Sequence, residues 1–532
     1  MANLTSAVDL GWYAPSQTLI NNLTHVASNA TTGVYGFIFN SSSTPDNEYG
    51  TYNWCNMPHT RAQEYVVPSD EYELVYVELI HRHHKRTPYA SNSFPVESYT
   101  WECNDQGLFY YAEPFSVTAS ASTENFTAAP DPNAGRNASA QSYWQGTSNV
   151  AGFINPFETL ATGWKGTCQF PQITAPGLDD AWQHGADLYA VYGDLLGFLP
   201  ARSSNDSDNS AAASKWRDER VRYRVTNNVI TSETAGMIIA GMWDLKADQQ
   251  SAMPLLIQPS GVDSLEPAYT CSSSTDQFDA IQSNASNPSW EAHLVAAQSL
   301  YGDLDAISGV PTVDDTSGFH ASFDHYYDNL SARQCHGKPL PCKLVNSTTQ
   351  EGAQVLVNDT SDCVTQTMAD EVYRFGNWEY SQIYRDAGAE TLAASVGSFG
   401  VWIAELAAHL RTAVSVDGSE TATIAWFHNV AHDGSVSRLL SILQVDVMVW
   451  PGMGSEVVFE LWKKNQNDLA SVHAKRSESG YYVRVLFGGK VLNSSNPSLG
   501  MMDMLPLETL LAYFDGLVGT NASLVVDKCS AS

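Results

Sequence analysis

The chain has 532 residues, and its 58 acidic and 27 basic side chains give a formal net charge of -31 at pH 7. This excess of negative charge argues against binding to the phosphate backbone of nucleic acids, so no nucleic-acid partner is expected. Hydrophobic residues make up 43% of the chain and aromatic residues 11%, which excludes a disordered chain and predicts a globular protein with a large core.

Targeting signals and glycosylation sequences bear on where the protein resides. Residues 1–5 have neither the basic nor the apolar region of a signal peptide, and no stretch approaches the roughly 18 uninterrupted apolar residues of a membrane span. We therefore expect no signal peptide and no membrane association.

Many N-x-Ser/Thr acceptors suggest a secreted glycoprotein in mature form, extracellular or in the cell wall, although a chain rich in Asn, Ser and Thr also produces some of them by chance. The acceptors of the expected N-linked glycans are Asn3, Asn22, Asn29, Asn40, Asn125, Asn137, Asn205, Asn284, Asn329, Asn346, Asn358, Asn493 and Asn521.

Cysteine usage agrees with secretion. The eight cysteines are even in number and include no C-x-x-C pair, so up to four disulfides are favoured over a zinc site. Their spacing does not determine the pairing. Only Cys335 and Cys342, which flank a glycine and two prolines, suggest a locally closed loop.

The predicted elements begin with a near-continuous apolar segment at 72–80, which has the length and composition of an interior parallel strand. A basic loop at 81–88 follows, because Pro88 and the polar residues end the strand. Helical spacing occurs at 179–198, 232–242, 368–384 and 390–410, and small polar residues predict surface loops at 116–142 and 203–214.

A second strand and loop lie far downstream. Residues 421–427 predict a strand, 428–434 a polar loop and 435–443 a helix, with further strands at 455–461 and 481–486. In open α/β sheets, ligand sites gather at the carboxyl ends of the strands. The loops at 81–88 and 428–434 are therefore expected to face one pocket.

The basic loop carries the clearest motif. Residues 82–88 read R-H-H-K-R-T-P, which resembles the R-H-G-x-R-x-P signature of the histidine acid phosphatases. Arg82 and Arg86 can converge on a phosphate dianion, because guanidinium groups match its oxygens. The resemblance implies that His83 is the nucleophile that forms a phosphohistidine.

Two other interpretations of this loop are less favoured. A solvated basic loop is disfavoured because so many cations directly after a buried strand repel one another unless an anion neutralises them. A metal site of His81, His83 and His84 is disfavoured because no nearby carboxylate or cysteine completes the set. No metal and no cofactor are therefore predicted.

The dipeptide His432-Asp433 supplies the second part of the resemblance. It implies that His432 contacts the phosphate and that Asp433 protonates the leaving group. A helix that begins near Ser435 would lower the pKa of Asp433, whereas a bound phosphate would raise it. Activity is expected at acidic pH, where Asp433 is more often protonated.

The resemblance covers roughly residues 70–490 and is greatest to the secreted fungal, phytase-like branch. Residues 171–177 and 265–271 look like the family's L-T-x-x-G and L-x-P-x-Y-x-C stretches. It implies an α/β fold with a large mostly parallel sheet flanked by helices on both faces, plus a smaller mainly α-helical cap subdomain. The expected boundaries are 1–259 with 386–532 for the catalytic domain and 260–385 for the cap.

Two departures from the family pattern matter. His84 stands where the signature has glycine, and Val229 with Ile230 occupies the place where a third phosphate-binding arginine is expected after Arg224-Val225-Thr226. The candidates to replace that arginine are Arg222, Arg224, Lys85 and His84. Arg224 is the substitute placed in the predicted phosphate site, with His84 and Lys85 as secondary members.

The function expected from these residues is hydrolysis of phosphomonoesters, with a broad range of small alkyl or aryl phosphates as the substrate partners. Two alternatives are a phytase acting on inositol phosphates, for which a chain of charge -31 offers little cationic rim, and a non-catalytic glycoprotein that binds anions. Transfer of the phosphoryl group to an acceptor other than water would use the same intermediate. Nothing in the sequence indicates the oligomeric state.

Overall fold

The computed structural model describes residues 8–28, 52–101, 103, 166, 168, 170–202, 207–244, 253–283, 286–313, 317–417, 424–465 and 477–530, together with short strands between residues 110 and 154. The described strands are β1 (Tyr72–Arg82), β2 (Tyr110–Tyr111), β3 (Phe115–Val117), β4 (Ala128–Pro130), β5 (Gln141–Ser142), β6 (Asn149–Val150), β7 (Phe153–Ile154), β8 (Val221–Val225), β9 (Leu255–Leu256), β10 (Cys342–Thr348), β11 (Gln354–Cys363), β12 (Trp426–Ala431), β13 (Glu456–Lys464), β14 (Tyr481–Phe487), β15 (Lys490–Val491) and β16 (Leu505–Pro506).

The described α-helices are α1 (Leu23–Val26), α2 (Ala175–Tyr189), α3 (Ser207–Arg220), α4 (Val229–Trp243), α5 (Ser272–Ile281), α6 (Pro288–Ala296), α7 (Gln298–Ser308), α8 (Asp324–Cys335), α9 (Gln366–Ser381), α10 (Ala389–Val416), α11 (Asp433–Ile442), α12 (Leu507–Val518) and α13 (Val525–Ser530). A π-helical turn continues α2 over Ala190–Leu195, and another continues α9 over Gln382–Asp386.

The central sheet has the strand order β15-β14-β13-β1-β12-β8-β9, and β16 pairs with β14. Strands β1, β12, β8 and β9 run parallel, whereas β13 is antiparallel to both β1 and β14. The register of β1 and β12 extends to Arg82 opposite Ala431, so these two strands end side by side. The loops that follow them therefore leave the sheet at the same edge.

Helices cover both faces of the sheet, because side chains alternate along a strand. Tyr76 and Ile80 of β1 belong to a core shared with α10, α11 and α12. Val77 and Leu79 point to the other face and pack with residues of α2 and α4. The predicted fold class, a large mostly parallel sheet between two helical layers with a further helical part, is confirmed.

Helix α10 is the central element of the larger core. It is also long and apolar enough to cross a membrane by length and composition alone, which makes it the one such helix among the described residues. Its side chains are instead enclosed by protein: Phe399, Leu406 and Leu410 are each 0% exposed.

Two glycines allow the backbone of α2 to lie directly against neighbouring backbone. A Cβ atom on Gly177 would lie 2.1 Å from the carbonyl oxygen of Lys85, and one on Gly185 would lie 2.1 Å from that of Ile238 in α4. Thr174 caps the helix by accepting a hydrogen bond from the Gly177 amide. The start of α2 is therefore held directly against the loop that follows β1.

A second hydrophobic core involves helices from the segment predicted as the cap. Trp290 of α6, Leu304 of α7, Tyr327 of α8 and Trp378 of α9 contribute to it. Phe278 of α5, which also lies in the predicted cap, packs instead into the core of the sheet domain. The boundaries 260–385 for the cap, and 1–259 with 386–532 for the catalytic domain, remain predictions.

The eight cysteines form four disulfides, as the even number suggested. The bonded pairs are Cys55–Cys335, Cys103–Cys168, Cys271–Cys529 and Cys342–Cys363. The suggestion of a loop closed between Cys335 and Cys342 is wrong. Each of these cysteines is bonded to a partner elsewhere, and Cys342 and Cys363 lie opposite each other in the β10–β11 hairpin.

Two local predictions need correction. The strand predicted at 421–427 is observed at Trp426–Ala431, because it pairs with β1 on one side and β8 on the other; residues 421–423 lie outside the described residues. The loop predicted at 203–214 is helical from Ser207, where three consecutive alanines favour helix α3, and 203–206 lie outside the described residues. Within 116–142 only the short strands named above are described.

The predicted glycan acceptors differ in their exposure to solvent. Asn22, Asn346, Asn493 and Asn521 are exposed and Asn358 is half-buried. Asn329 is 1% exposed, and its amide nitrogen donates to the carbonyl oxygen of Asn92 at 2.9 Å, so the folded chain leaves no room for a glycan there. Outside the described residues lie Asn3, Asn29, Asn40, Asn125, Asn137, Asn205 and Asn284.

Candidate active site

His83 lies just beyond the end of β1, at the edge where β12 also ends. Its side chain is buried, and its Nδ1 lies 2.9 Å from the carbonyl oxygen of His84. If Nδ1–H donates to that oxygen, Nε2 carries a free lone pair. The ring of His432 lies 5.5 Å away between centroids, so the loops after β1 and β12 do meet.

Arg82 and Arg86 flank His83 as two buried guanidinium groups. Nη1 of Arg82 donates to the carbonyl oxygen of Pro451 at 2.7 Å, and Nη1 of Arg86 donates to Oδ1 of Asp328 at 3.0 Å. The Nε of each arginine has no hydrogen-bond partner among the described residues. Unpaired buried cationic donors are costly, and an anion bound between them would satisfy them.

His432 and Asp433 stand where β12 gives way to α11. Nε2 of His432 lies 2.9 Å from Oγ1 of Thr226, the residue after β8, and 3.6 Å from a carboxylate oxygen of Glu266. Oδ2 of Asp433 lies 3.1 Å from Nη2 of Arg82 and accepts a hydrogen bond from Nε1 of Trp450 at 2.8 Å. The carboxylate and the guanidinium are thus direct partners.

The electrostatics suit a neutral nucleophile. Burial lowers the pKa of His83 well below its usual value, and the charges of Arg82 and Arg86 lower it further. Burial likewise lowers the pKa of His432 to about 4. Both imidazoles are therefore uncharged at mildly acidic pH, which leaves their lone pairs available.

The pKa of Asp433 is shifted in the direction that disfavours a proton donor. Burial alone would raise its pKa, but Arg82, the hydrogen bond from Trp450 and Arg86 together hold the pKa below its usual value. The helix start predicted near Ser435 is in fact Asp433 itself. In the absence of an anion, this carboxyl group is ionised.

A second carboxyl group faces the same site. The pKa of Asp324 is raised to about 7, with burial as the largest cause, although 46% of its side chain is exposed. The negative charges of Asp328 and Asp433 act in the same direction. Asp324 is therefore protonated at acidic pH and charged above neutrality.

The proposed substitutes for a third arginine have hydrogen-bond or ion-pair partners elsewhere in the protein. Arg224 pairs with Glu405 at 2.6 Å and with Asp263 at 3.2 Å, so its charge is already neutralised. Arg222 donates to the carbonyl oxygen of Val221.

The two secondary candidates, Lys85 and His84, also have partners of their own. Lys85 is fully buried against Asp180 at 2.8 Å, and His84 is hydrogen-bonded to His184 at 3.0 Å. The assignment of Arg224, Lys85 and His84 to the phosphate site remains a prediction.

Several site residues have no counterpart in the sequence prediction. Asp328 of α8, Trp450 and Tyr380 all contact Arg86 or Asp433. Thr226 belongs to the quoted Arg224-Val225-Thr226 stretch and contacts His432. Trp450 directly precedes the Pro-Gly loop before β13, and a loop next to a buried strand is the same signal that pointed to the loops after β1 and β12. Asp328 lies within a helix, and nothing in the local sequence indicates that it contacts Arg86.

Comparisons with known proteins place the chain among distant relatives. No protein-family model matches it. The chain is 22% identical over 405 residues to counting factor 60 of Dictyostelium discoideum, covering 75% of this chain and 79% of that protein.

The similar solved structures include two phytases and an inositol polyphosphate phosphatase. The apo form of the Hafnia alvei phytase is 12% identical with a TM-score of 0.44, over 86% of this chain and 99% of that one. The phytase from D. castellii is 12% identical with a TM-score of 0.42, over 90% and 87% of the two chains. The Bifidobacterium longum multiple inositol polyphosphate phosphatase, in complex with inositol hexasulfate, is 10% identical with a TM-score of 0.40, over 83% and 92%. The predicted fungal branch remains a prediction.

Proposed function

We propose that this protein is a phosphomonoesterase of the histidine acid phosphatase type. The observation that carries the proposal is a neutral, buried imidazole, that of His83, set between Arg82 and Arg86, whose Nε donors lack partners among the described residues. Buried cations around a nucleophile favour an anionic electrophile, and a phosphoryl group matches both charge and geometry.

The reaction proceeds in two steps. The Nε2 lone pair of His83 attacks phosphorus while the bond to the ester oxygen breaks, and Asp433 gives that oxygen its proton. Water then attacks the phosphohistidine, its proton passes to Asp433, and the P–N bond breaks to release phosphate. Arg82, Arg86 and His432 hold the phosphoryl oxygens in both steps. No cofactor is required.

The substrate is proposed to be a small alkyl or aryl phosphate. The site is bordered by carboxyl groups, Asp324, Asp328 and Glu266 among them, and these repel a ligand with many charges. Tyr380, which is half-buried beside Asp433 and stacks on the buried Trp450 at 4.0 Å between centroids, can contact a planar leaving group. Inositol phosphates are the second candidate because the chain resembles the phytase-like branch of the family in its motifs.

Secretion forms part of the proposal. All eight cysteines are paired in disulfides, which persist in oxidising compartments. The exposed acceptors Asn22, Asn346, Asn493 and Asn521 are available for glycans.

The test is release of inorganic phosphate from a panel of phosphomonoesters, with an aryl phosphate and phytate included, from about pH 3 to about pH 8. Turnover at acidic pH is expected for the wild type and its loss for His83→Ala, whereas His320→Ala, a change outside the site, should behave as the wild type. Labelled substrate should trap a phosphohistidine in the wild type alone. No turnover of any ester by folded wild-type protein would contradict the proposal, and phosphate binding in that case would favour the anion-binding glycoprotein.

A further inference from the structure

A cluster of four histidines lies behind the proposed active site and has no part in the proposed reaction. It consists of His81 at the end of β1, His84 in the following loop, His184 in α2 and His428 in β12, and each side chain is 0% exposed. We call these four residues the histidine cluster. Its members come from different elements, so only the tertiary fold brings them together.

The donor nitrogens of the histidine cluster are close enough to share one ion. One nitrogen each of His81, His84 and His184 lie within 4.8 Å of one another. Nε2 of His84 is 3.0 Å from Nδ1 of His184, and Nε2 of His81 is 2.8 Å from Nε2 of His428. A tetrahedral zinc ion, with bonds of about 2.0–2.1 Å, places its ligand nitrogens about 3.3 Å apart.

Groups around the histidine cluster orient two of its rings as metal ligands are oriented. Nδ1 of His81 lies 2.7 Å from the carbonyl oxygen of Arg82, and Nε2 of His184 lies 2.9 Å from Oε2 of Glu456. When each of these nitrogens donates its hydrogen outward, the opposite nitrogen presents its lone pair to the cluster. A carboxylate or carbonyl behind a histidine is the usual support of a metal-binding imidazole.

Two nitrogens on the outer side of the histidine cluster have no partner. Nδ1 of His84 and Nδ1 of His428 are buried and have no hydrogen-bond partner among the described residues. Nε2 of each of these rings faces the cluster, so an ion bound there fixes the ring hydrogen on Nδ1, which points away from the ion and is not a ligand.

We propose that the histidine cluster binds one transition-metal ion of the zinc class through His81, His84 and His184, with His428 as the nearest fourth ligand. Imidazole nitrogens are ligands that Zn²⁺ and its neighbours Co²⁺ and Cu²⁺ prefer. Because four protein side chains would complete the coordination shell, the ion is proposed to be structural rather than catalytic. It would join the loop that carries His83 to α2 and, through Glu456, to β13.

This site accounts for His84, which stands where the signature has glycine. The ring of His84 packs against Gly454, where a Cβ atom would lie 2.4 Å from it. The ring of His84 therefore occupies the space that a side chain at position 454 would need. The pair is built to keep an imidazole in the interior, away from the phosphate.

The test measures metal binding by the full chain. After treatment with a chelator and dialysis, the protein is titrated with Zn²⁺ by calorimetry, its metal content per chain is determined, and Co²⁺ is used as a spectroscopic probe. One ion per chain, a melting temperature that rises with Zn²⁺, and the visible absorption of tetrahedral Co²⁺ with nitrogen ligands are expected.

Variants assign the ion to the histidine cluster. His184→Gln and His84→Gly should weaken zinc binding by more than the 10–100-fold typical of lost outer-shell contacts. His293→Gln is the matched control, because His293 is equally buried and bonded to Glu379 but lies outside the cluster. His84→Gly restores the signature glycine, so it tests the site even where His184→Gln fails to fold.

Two results would overturn the metal site. One is a wild-type chain that takes up no stoichiometric Zn²⁺, Co²⁺ or Cu²⁺; the other is unchanged affinity in both cluster variants. Neither result depends on turnover, so a chain that binds zinc without hydrolysing esters would contradict only the proposed function.

Discussion

Nη2 of Arg82 lies 3.1 Å from Oδ2 of Asp433, so the group proposed to bind phosphate also neutralises the group proposed to donate the proton. Arg82 and its neighbours hold the pKa of Asp433 low while the site has no anion. A bound dianion competes for Arg82 and raises that pKa. Substrate binding and protonation of the acid are thereby coupled.

This coupling predicts that anion binding takes up a proton. Sulfate is the suitable probe, because it stays a dianion at about pH 5 while Asp433 titrates. Calorimetry in buffers of different ionisation enthalpy should give a positive fractional proton uptake for the wild type and almost none for Asp433→Asn. Asp515→Asn, in a distant ion pair with Arg411, is the control. Equal uptake by the wild type and Asp433→Asn would show that another group takes the proton.

The role of Asp433 as proton donor predicts a dependence on the leaving group. Asp433→Asn should lower kcat/KM, which reports the phosphorylation step, by about 10²–10⁴-fold for an alkyl phosphate, whose leaving oxygen needs a proton. The loss should be much smaller for p-nitrophenyl phosphate, whose leaving group departs as a stable anion. Steady-state kinetics on both esters measure the ratio, and an equal loss on both would place the proton on a different residue.

Asp328 is expected to position Arg86. Its carboxylate accepts from Nη1 of Arg86 at 3.0 Å and from the amide of Tyr89 at 3.0 Å, and it is 3% exposed. Asp328→Asn keeps the shape but removes the charge, so it should raise KM by about tenfold with a smaller change in kcat. It should also destabilise the fold by up to about 3–5 kcal/mol, because Arg86 loses its buried partner.

The control for Asp328 is Asp303→Asn, an exposed change in the adjacent helix α7. Steady-state kinetics and urea denaturation separate the two effects. A fall in kcat with unchanged KM would argue that Asp328 does not act through Arg86.

Asp324 predicts the alkaline limit of activity. Its pKa is raised to about 7, so its ionisation above that pH adds a negative charge beside the phosphate site. kcat/KM should therefore fall as pH rises through 7, and Asp324→Asn should keep its activity to higher pH. The exposed variant Asp218→Asn should follow the wild type.

The same group gives a stability test with a defined sign. A carboxyl group whose folded pKa is raised favours folding at low pH and loses that contribution between its unfolded value of 3.8 and about 7. Asp324→Asn should thus raise the melting temperature at pH 8 relative to the wild type and have little effect at pH 3. A melting difference that is the same at both pH values would contradict the raised pKa.

The sequence was sufficient to predict the strand β1, the loop after it and the meeting of Arg82, His83, His432 and Asp433. These residues follow buried strands, and the apolar patterns of those strands are unambiguous. The end of β12 was placed too early because His428 and Asn429 are polar. In the structure both are buried with partners: Nε2 of His428 meets Nε2 of His81, and the Asn429 amide donates to the carbonyl oxygen of Leu79.

The remaining site residues depend on contacts that span the chain. Asp328 reaches Arg86 across 242 positions, and Arg224 meets Glu405 across 181. The local amino-acid sequence does not indicate which distant cation such a carboxylate neutralises. The direction of His84 into the interior likewise follows from the space left by Gly454, which no spacing rule reveals.

The disulfide Cys55–Cys335 connects two sides of the proposed phosphate site. Trp54, next to Cys55, lies under the guanidinium of Arg82 at 4.6 Å, and Cys335 ends the helix that carries Asp328. This disulfide spans 280 positions, whereas Cys342–Cys363 spans 21 and closes a hairpin. Loop closure entropy predicts that the longer link stabilises the fold more, by about 5 kcal/mol against about 3 kcal/mol.

Paired alanine variants of the two disulfides test this difference. Urea denaturation should give the larger loss of unfolding free energy for Cys55→Ala with Cys335→Ala. KM for an aryl phosphate should rise in that variant and stay unchanged in Cys342→Ala with Cys363→Ala, because only the first pair holds α8 against the Trp54 segment. Equal losses of stability would count against the entropic argument, and an unchanged KM in both would mean that packing alone keeps Arg82 and Asp328 in place.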